Sequence, residues 1–241
     1  MITVYTFTYN EEILMQFVID HWRDRFPNCH IVIHDNNSTD NTASIAQQNN
    51  CEVRNYNPQN NFDDGLHRQI KNTCWKDAKT DWVMVCDLDE LLDITAEELL
   101  SEELMGTTIF KPEAWTIVNN EDHYDLDSMK YGIRDGGYDK NVLFNRKFIQ
   151  EMNYSPGCHS SAPVGNIKFS SKPYILHHYR DIHIDRTISR GKATLARLSD
   201  NNKRNGWGVW QVSRSEAEFR EGFEMLGKLK IEVPTRRSFK K

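Results

Sequence analysis

Residues 82–92, Trp-Val-Met-Val-Cys-Asp-Leu-Asp-Glu-Leu-Leu, constrain this chain more than any other stretch. Five apolar residues stop abruptly at Asp87-Leu88-Asp89-Glu90. A short apolar run closed by a sharp polar break is the pattern of a strand buried on both faces of a parallel sheet. Ligands of open α/β sheets sit beyond the carboxyl ends of the strands, so Asp87 and Asp89 are expected at the mouth of a ligand site. Carboxylates at i and i+2 can both give oxygens to one hard cation, Mg²⁺ or Mn²⁺, that also holds substrate phosphates. The same cluster also suits the cap of a following helix, and a lone D-x-D is weak evidence for a metal. The neighbouring segments decide between the two.

Those segments repeat the pattern. Residues 2–8 are β-rich and run into Tyr9-Asn10-Glu11-Glu12. A helix is expected next, with Ile13, Leu14, Phe17, Val18, His21 and Trp22 on one face at helical period. Asn10 is the expected N-cap, Glu11 and Glu12 suit the first turn, and Pro27 marks the end. Residues 30–34 form a second strand that stops at a polar loop, 35–42, and residues 52–56 a weaker third. Asp63 or Asp64 caps a helix to about Ala78, with Leu66, Ile70 and Cys74 on one face. Thr95 to Glu98 is a capping box. Strand and helix thus alternate four times in the first hundred residues. That pattern implies an α/β fold, a mostly parallel sheet with helices on both faces. It also brings three polar strand ends, 8–11, 35–40 and 87–90, to one edge.

Beyond residue 105 the pattern is less regular. Strand-like runs occur at 108–118 and within 130–149, with an acidic loop at 119–128 between them. A Gly-, Pro- and Ser-rich loop surrounds His159, and a strand over 172–180 ends in His177-His178-Tyr179-Arg180. Consecutive residues of a strand face opposite ways, so only one of the two histidines can face a site. A basic helix is expected from Asp185 to about Asn202, and a last helix from Ser213 to about Lys228 with Ser213 and Glu216 as its capping box.

The chain of 241 residues, 38% hydrophobic and 27% charged, is long enough for one large domain or one domain with an appendage. A net charge of −5 argues against a general nucleic-acid binder. The average conceals an asymmetry. Residues 1–178 carry 15 Lys and Arg against 27 Asp and Glu, a net of −12, whereas 179–241 carry 15 against 8, a net of +7. The basic segment is expected either to meet an anionic ligand or to pack on the acidic body, with the 186–204 helix read mainly as a solvated face. Five cysteines, an odd number without C-x-x-C spacing, fit a reducing compartment rather than a disulfide framework or a zinc site. The chain opens in a strand-like run without a signal-peptide layout, and no apolar run approaches the roughly 18 residues of a membrane span. A cytoplasmic protein is expected, compatible with peripheral membrane contact.

Four segments carry a resemblance: TFTYNEE after the first strand, HDNNSTDNT after the second, the helix with Arg68 and Asn72 leading into WVMVCDLDE, and the late pair GCH and LHHYR. Together they resemble the nucleotide-diphospho-sugar glycosyltransferases of the GT-A fold, especially the family 2-like group. The likeness is close to about residue 95, partial to about 180 and absent beyond. It implies a Rossmann-like catalytic domain over 1–180, with a nucleotide-binding half at 1–95 and a smaller mixed acceptor-side half at 105–180. A basic helical extension, 181–241, follows. The implied activity is that of a metal-dependent hexosyl- or deoxyhexosyltransferase. It moves a sugar from a nucleoside-diphosphate sugar to a hydroxyl of a glycan, lipid-linked or small-molecule acceptor, with inversion. Mn²⁺ or Mg²⁺ is the implied cofactor.

Position by position, the resemblance places Tyr9 against the nucleobase with Thr8 and Glu11 nearby. Asp35 accepts a hydrogen bond from base or ribose, and Ser38 shapes that loop. Arg68 lies near the base or the pyrophosphate, Leu88 lies within the donor site, and Asp87 touches the ribose or a metal-bound water. Asp89 is the direct metal ligand, and a late histidine completes the metal shell, His159 before His178. Candidates for the general base are Asp139, then Asp122, Asp135 and Glu90. The chemistry is consistent from below. Negative charge grows on the leaving β-phosphate, a divalent ion offsets it, and a base takes the acceptor's proton.

Three rivals remain at this level. A haloacid-dehalogenase-type phosphatase prefers Thr or Val where Leu91 stands and carries its D-x-D on the first strand. A sugar nucleotidyltransferase opens with a Gly-rich loop, and TFTYNEE has no glycine. The third rival is a non-catalytic nucleotide-sugar-binding module.

Overall fold

The computed structural model describes residues 1–57, 59–119, 125–209 and 214–234. Asp122 and Ser213 lie outside the described residues.

Four parallel strands begin the chain: β1 (Ile2–Thr8), β2 (His30–Asp35), β3 (Glu52–Asn55) and β4 (Trp82–Asp87). Helices α1 (Glu12–Arg25), α2 (Thr42–Gln48) and α3 (Asp64–Thr73) connect them. With β8 (Leu143–Asn145) antiparallel to β4, the sheet order is β3-β2-β1-β4-β8. Period-2 alternation loads both faces of this sheet. Ile2, Val4, Met84 and Cys86 pack with Leu14, Met15, Val18, Ile19 and Trp22 of α1. Tyr5, Phe7, Val83 and Val85 pack with Trp75, Phe144 and Met152 on the other side. Fully burying such a side chain contributes about 1.5–3 kcal/mol, so these two layers hold the strand ends in place.

A second sheet has the order β12-β7-β6-β11-β5, from β5 (Glu90–Leu92), β6 (Pro112–Val118), β7 (Tyr131–Arg134), β11 (Tyr174–Asp181) and β12 (Ile231–Glu232). A two-stranded ribbon pairs β9 (Ile149–Glu151) with β10 (Val164–Gly165). Among the described residues, the remaining α-helices are α4 (Ala96–Leu104), α5 (Ile184–Arg197), α6 (Asp200–Asn205) and a last helix, Glu216–Leu229.

The expected mostly parallel α/β architecture is what forms, with local differences. Asn10 does not cap α1. It adopts a left-handed backbone (φ 51°), and its side-chain oxygen accepts from Thr39 N–H at 2.7 Å, tying the first polar strand end to the second. Ile13, expected on the apolar face, is 45% exposed. Helix α3 stops at Thr73, and successive turns at Lys76 and Ala78 bury Trp75. The last helix starts at Glu216 with Ser215 and Glu218 as its capping box, two residues later than the sequence suggests. The expected basic helix is two helices, because Ser199 caps a new start at Asp200.

Asp63 caps α3 by accepting from Leu66 N–H at 2.9 Å and from Asn201 of α6 at 3.2 Å. Asp63→Ala is expected to cost about 1–2 kcal/mol, read as a lower midpoint in urea unfolding. An unchanged midpoint would mean that solvent caps this helix equally well.

Candidate active site

The D-x-D segment is where the chain passes from one sheet to the other. Asp87 ends β4, Leu88 is buried with its N–H donating to Phe7 O at 3.0 Å, and Glu90 begins β5. Antiparallel pairing sets His178 of β11 opposite Glu90, and Tyr179 N–H donates to Asp89 O at 2.7 Å. This register delivers a histidine 89 residues downstream to the second aspartate, with His178 Nε2 lying 3.6 Å from Asp89 Oδ2. His177, its neighbour on the strand, is buried and faces the opposite side.

The three polar strand ends line one cleft of about 610 Å³ together with Tyr138, His159, His178 and α5. Its floor is strongly charged. Asp87 Oδ1 accepts from Lys71 Nζ at 2.7 Å, and its Oδ2 accepts from Lys140 Nζ at 2.9 Å. Lys140 also pairs with Glu90, whose other oxygen accepts Asp87 N–H at 3.0 Å. Both lysines and Glu90 are buried. Burial alone would raise the Asp87 carboxyl, but Lys140 and then Lys71 outweigh it and hold it well below the usual range. Burial likewise opposes the charge on Lys140, yet Asp87 and Glu90 keep it well above the ordinary lysine value. Ion pairs that replace lost hydration in this way fix the carboxylates in place.

At the second aspartate, Asp89 Oδ2 accepts from Arg190 Nη1 at 2.8 Å. Arg190 Nε also reaches Glu11 at 3.2 Å, and Glu11 bonds Arg186. Burial pushes Asp89 up, and Arg190 followed by His178 pull it well below the usual range. The Tyr138 ring stands between two histidines, with centroids 4.7 Å from His159 and 4.3 Å from His178, and its hydroxyl accepts from Arg180 at 2.8 Å. Burial, then Lys140, lowers His159 to about 4, so it is neutral at physiological pH. Gly157 (φ +75°) lets the loop pass this ring, for a Cβ there would meet His159 at 2.9 Å.

The anticipated residues fall into two groups. Thr8, Tyr9, Glu11, Asp87, Leu88, Asp89, His159 and His178 line the cleft together. Asp35, Ser38, Arg68 and Asp139 are absent from that lining. Asp35 is buried and accepts from Ser38 N–H at 3.0 Å and from the Ser38 hydroxyl, so both shape the loop from below. Arg68 lies over the Trp207 ring at 5.9 Å, although it follows Asp64 by one helical turn. The Asp139 carboxylate accepts from Ala114 N–H at 2.8 Å and from Arg134. Asp135 accepts from Gly137 N–H and the Thr116 hydroxyl.

Several residues escaped sequence reasoning: His67, Tyr138, Arg180, Arg186, Arg190 and Arg197 line the cleft, and the buried Lys71 and Lys140 bond Asp87. A signal existed for the arginines of α5, since positions 186, 190 and 197 share one helix face. Far from being a solvated face, that side of α5 closes the cleft. Arg197 lies over Tyr9 at 3.4 Å from the ring centroid and donates to Asn36 O at 2.8 Å.

The site tests sensibly for a divalent cation. With ligand bonds of about 2.0–2.2 Å, two ligand atoms of an octahedral ion lie roughly 3 Å apart when adjacent and roughly 4.3 Å when opposite. The 3.6 Å between Asp89 and His178 lies between those two separations, so a shift of roughly half an ångström would bring both into one coordination shell. No group of three His, Cys, Asp or Glu side chains among the described residues is placed to hold a metal. The pair therefore fits a cation completed by phosphate oxygens and water, the usual arrangement for Mg²⁺-type sites.

A parallel sheet whose strand ends open on a charged cleft defines a nucleotide-handling α/β protein. Residues 3–152 match the family described as Glycosyl transferase family 2, and the chain belongs to that family. That family is one of glycosyltransferases, which sets aside the phosphatase and nucleotidyltransferase rivals. No curated protein sequence matches the chain. Among solved structures it is similar to S. aureus TarS 1-349 in complex with UDP-GlcNAc, at 13% identity and TM-score 0.45, covering 95% of this chain and 76% of that one. It is also similar to the mannosyltransferase PcManGT from Pyrobaculum calidifontis in complex with GDP-Man and Mn²⁺, at 13% identity and TM-score 0.42, covering 94% and 80%. Against a longer S. aureus TarS chain the identity is 12% and the TM-score 0.46, covering 88% of this chain and 42% of that one, so this chain spans less than half of that length. Among the described residues, no helix is long and apolar enough to cross a membrane.

Proposed function

We propose that the cleft binds a nucleoside-diphosphate sugar with a divalent cation, Mn²⁺ or Mg²⁺, and transfers the sugar to a hydroxyl acceptor with inversion. The observation that carries this reading is the Asp89–His178 pair at the mouth of the central sheet. Asp89 and His178 would hold the cation, which when bound offsets charge on the leaving diphosphate. Asp87, with both oxygens bonded to ammonium groups, acts as a fixed acceptor for the donor's ribose rather than as a direct ligand. Lys71 and Lys140 keep it ionised without spending mobile charge. Thr8, Tyr9 and the 36–40 loop form the nucleoside end, with Arg197 as a cationic plane beside Tyr9. Arg186 and Arg190 present cations where the diphosphate would lie, so the departing charge is met in a partly dry cleft, where electrostatic stabilisation is strongest.

Titration calorimetry of UDP and GDP with and without Mn²⁺ tests this directly. One nucleotide is expected to bind at least 10-fold more tightly with Mn²⁺. Equal affinity in the presence of a chelator would remove the cation from the account.

Transfer also needs a base to take the acceptor's proton. Asp139 is the sequence favourite, but its carboxylate is committed to Ala114 and Arg134. Asp139→Asn is therefore expected to cost about 1–2 kcal/mol of stability and to change turnover less than 3-fold. A 100-fold fall in turnover at unchanged nucleotide affinity would reinstate it as the base.

A further inference from the structure

Arg190 stands where a cation bound to Asp89 would need to be. Its Nη1 lies 2.8 Å from Asp89 Oδ2, the same oxygen that lies 3.6 Å from His178 Nε2. A divalent ion cannot approach that oxygen while a guanidinium is bonded to it, because the two positive charges would share one acceptor in a buried setting. The rest of the network permits Arg190 to leave. Its side chain is 38% exposed, whereas those of Asp89 and Glu11 are 5% and 4% exposed. Glu11 keeps Arg186 as a second partner, so a departing Arg190 leaves neither carboxylate bare once the metal has taken Asp89. Arg190 lines the cleft and also a smaller adjoining recess of about 70 Å³, shared with Arg180, Thr187, Gly191, Thr194 and Phe219.

We infer that Arg190 is a resident counter-ion that occupies the Asp89 position in the empty enzyme and exchanges it for the donor's diphosphate when the metal arrives. This rests on the metal-dependent reading above and goes beyond it. Metal alone must displace a buried ion pair and gains no new partner for Arg190. Metal with a nucleoside diphosphate supplies both the cation for Asp89 and the anion for Arg190. Linkage then makes the two ligands bind synergistically, so that the cleft is loaded by the complete metal–donor pair and not by stray cations.

The test measures Mn²⁺ binding by electron paramagnetic resonance, with Mn²⁺ alone and with saturating UDP or GDP, independently of turnover. In the wild-type protein Mn²⁺ alone is expected to bind weakly, and the bound nucleoside diphosphate to strengthen it at least 10-fold. Arg190→Met is expected to strengthen binding of Mn²⁺ alone by about 10-fold or more, because Asp89 loses its competitor. It should also reduce the nucleotide's effect on Mn²⁺ to less than 3-fold. Arg190→Lys, which keeps the charge, is expected to leave Mn²⁺ alone weakly bound. If Arg190 were only a structural brace, Arg190→Met would weaken Mn²⁺ binding or leave it unchanged while the wild type still showed synergy, and the inference would be overturned. Should Arg190→Met fail to fold, a wild type that binds Mn²⁺ equally well with and without nucleotide would overturn it independently. Wild-type protein that binds no Mn²⁺ in any condition would instead overturn the metal reading itself.

Discussion

Asp89→Asn is expected to lower Mn²⁺-dependent turnover by about 10³-fold, equivalent to about 4 kcal/mol in the barrier, with the fold intact. Asn fills the same volume, and the backbone bond from Tyr179 N–H to Asp89 O does not depend on the side chain. Arg190 retains Glu11 at 3.2 Å, so the substitution leaves no buried guanidinium without a partner. What disappears is the one carboxylate at the mouth of the sheet that lies beside His178 without a lysine on it. Kinetics with and without Mn²⁺, alongside a thermal melt, checks both halves. Full Mn²⁺-dependent turnover in a folded Asp89→Asn protein would sink the assignment of Asp89 as a ligand.

Lys140→Met acts on stability instead. Lys140 lies between Asp87 at 2.9 Å and Glu90 at 2.5 Å with its side chain 2% exposed. Removing it strips the buried Glu90 carboxylate of its counter-ion beside Asp87, which is 27% exposed and keeps Lys71, a change expected to cost about 3 kcal/mol, the lower end for breaking a buried pair. The double variant Lys140→Met/Glu90→Gln is expected to recover a substantial part, since Gln still accepts Asp87 N–H and carries no charge. Urea unfolding measures both, and a single variant within 1 kcal/mol of the wild type would contradict the picture of a tightly paired cluster. The pH dependence follows from the directions of the shifts. Asp87 is depressed, so its contribution is present above the unfolded value of about 3.9 and is lost as pH falls through the lower folded value. Lys140 is raised, so its contribution is complete below about 10.4 and is lost as pH rises through the higher folded value. Between those limits the contributions of Asp87 and Lys140 are flat.

The first hundred residues of this fold were legible because their signals are local. An apolar run with a polar stop sits on three of the four parallel strands, and Thr95 and Glu98 form the capping box that their spacing announces. What the sequence left hidden depends on pairing across long separations. Nothing near Glu90 indicates that it starts a strand of another sheet, or that β11 will set His178 beside Asp89. Arg68 shares α3 with Asp64 and His67, which line the cleft, but its side chain lies over Trp207, a contact between residues far apart in the chain. Asp139 misled because Arg134, its partner, approaches through a turn. The charge asymmetry was visible, but its meaning depended on α5 turning Arg186, Arg190 and Arg197 toward the acidic strand ends.

The most direct test of the central claim is nucleoside-diphosphate release from a panel of sugar nucleotides, with Mn²⁺ or with a chelator, and with Asp89→Asn as control. The account predicts slow release from one donor that requires Mn²⁺ and vanishes in the variant. Release that proceeds equally with chelator present, or undiminished in Asp89→Asn, would contradict it.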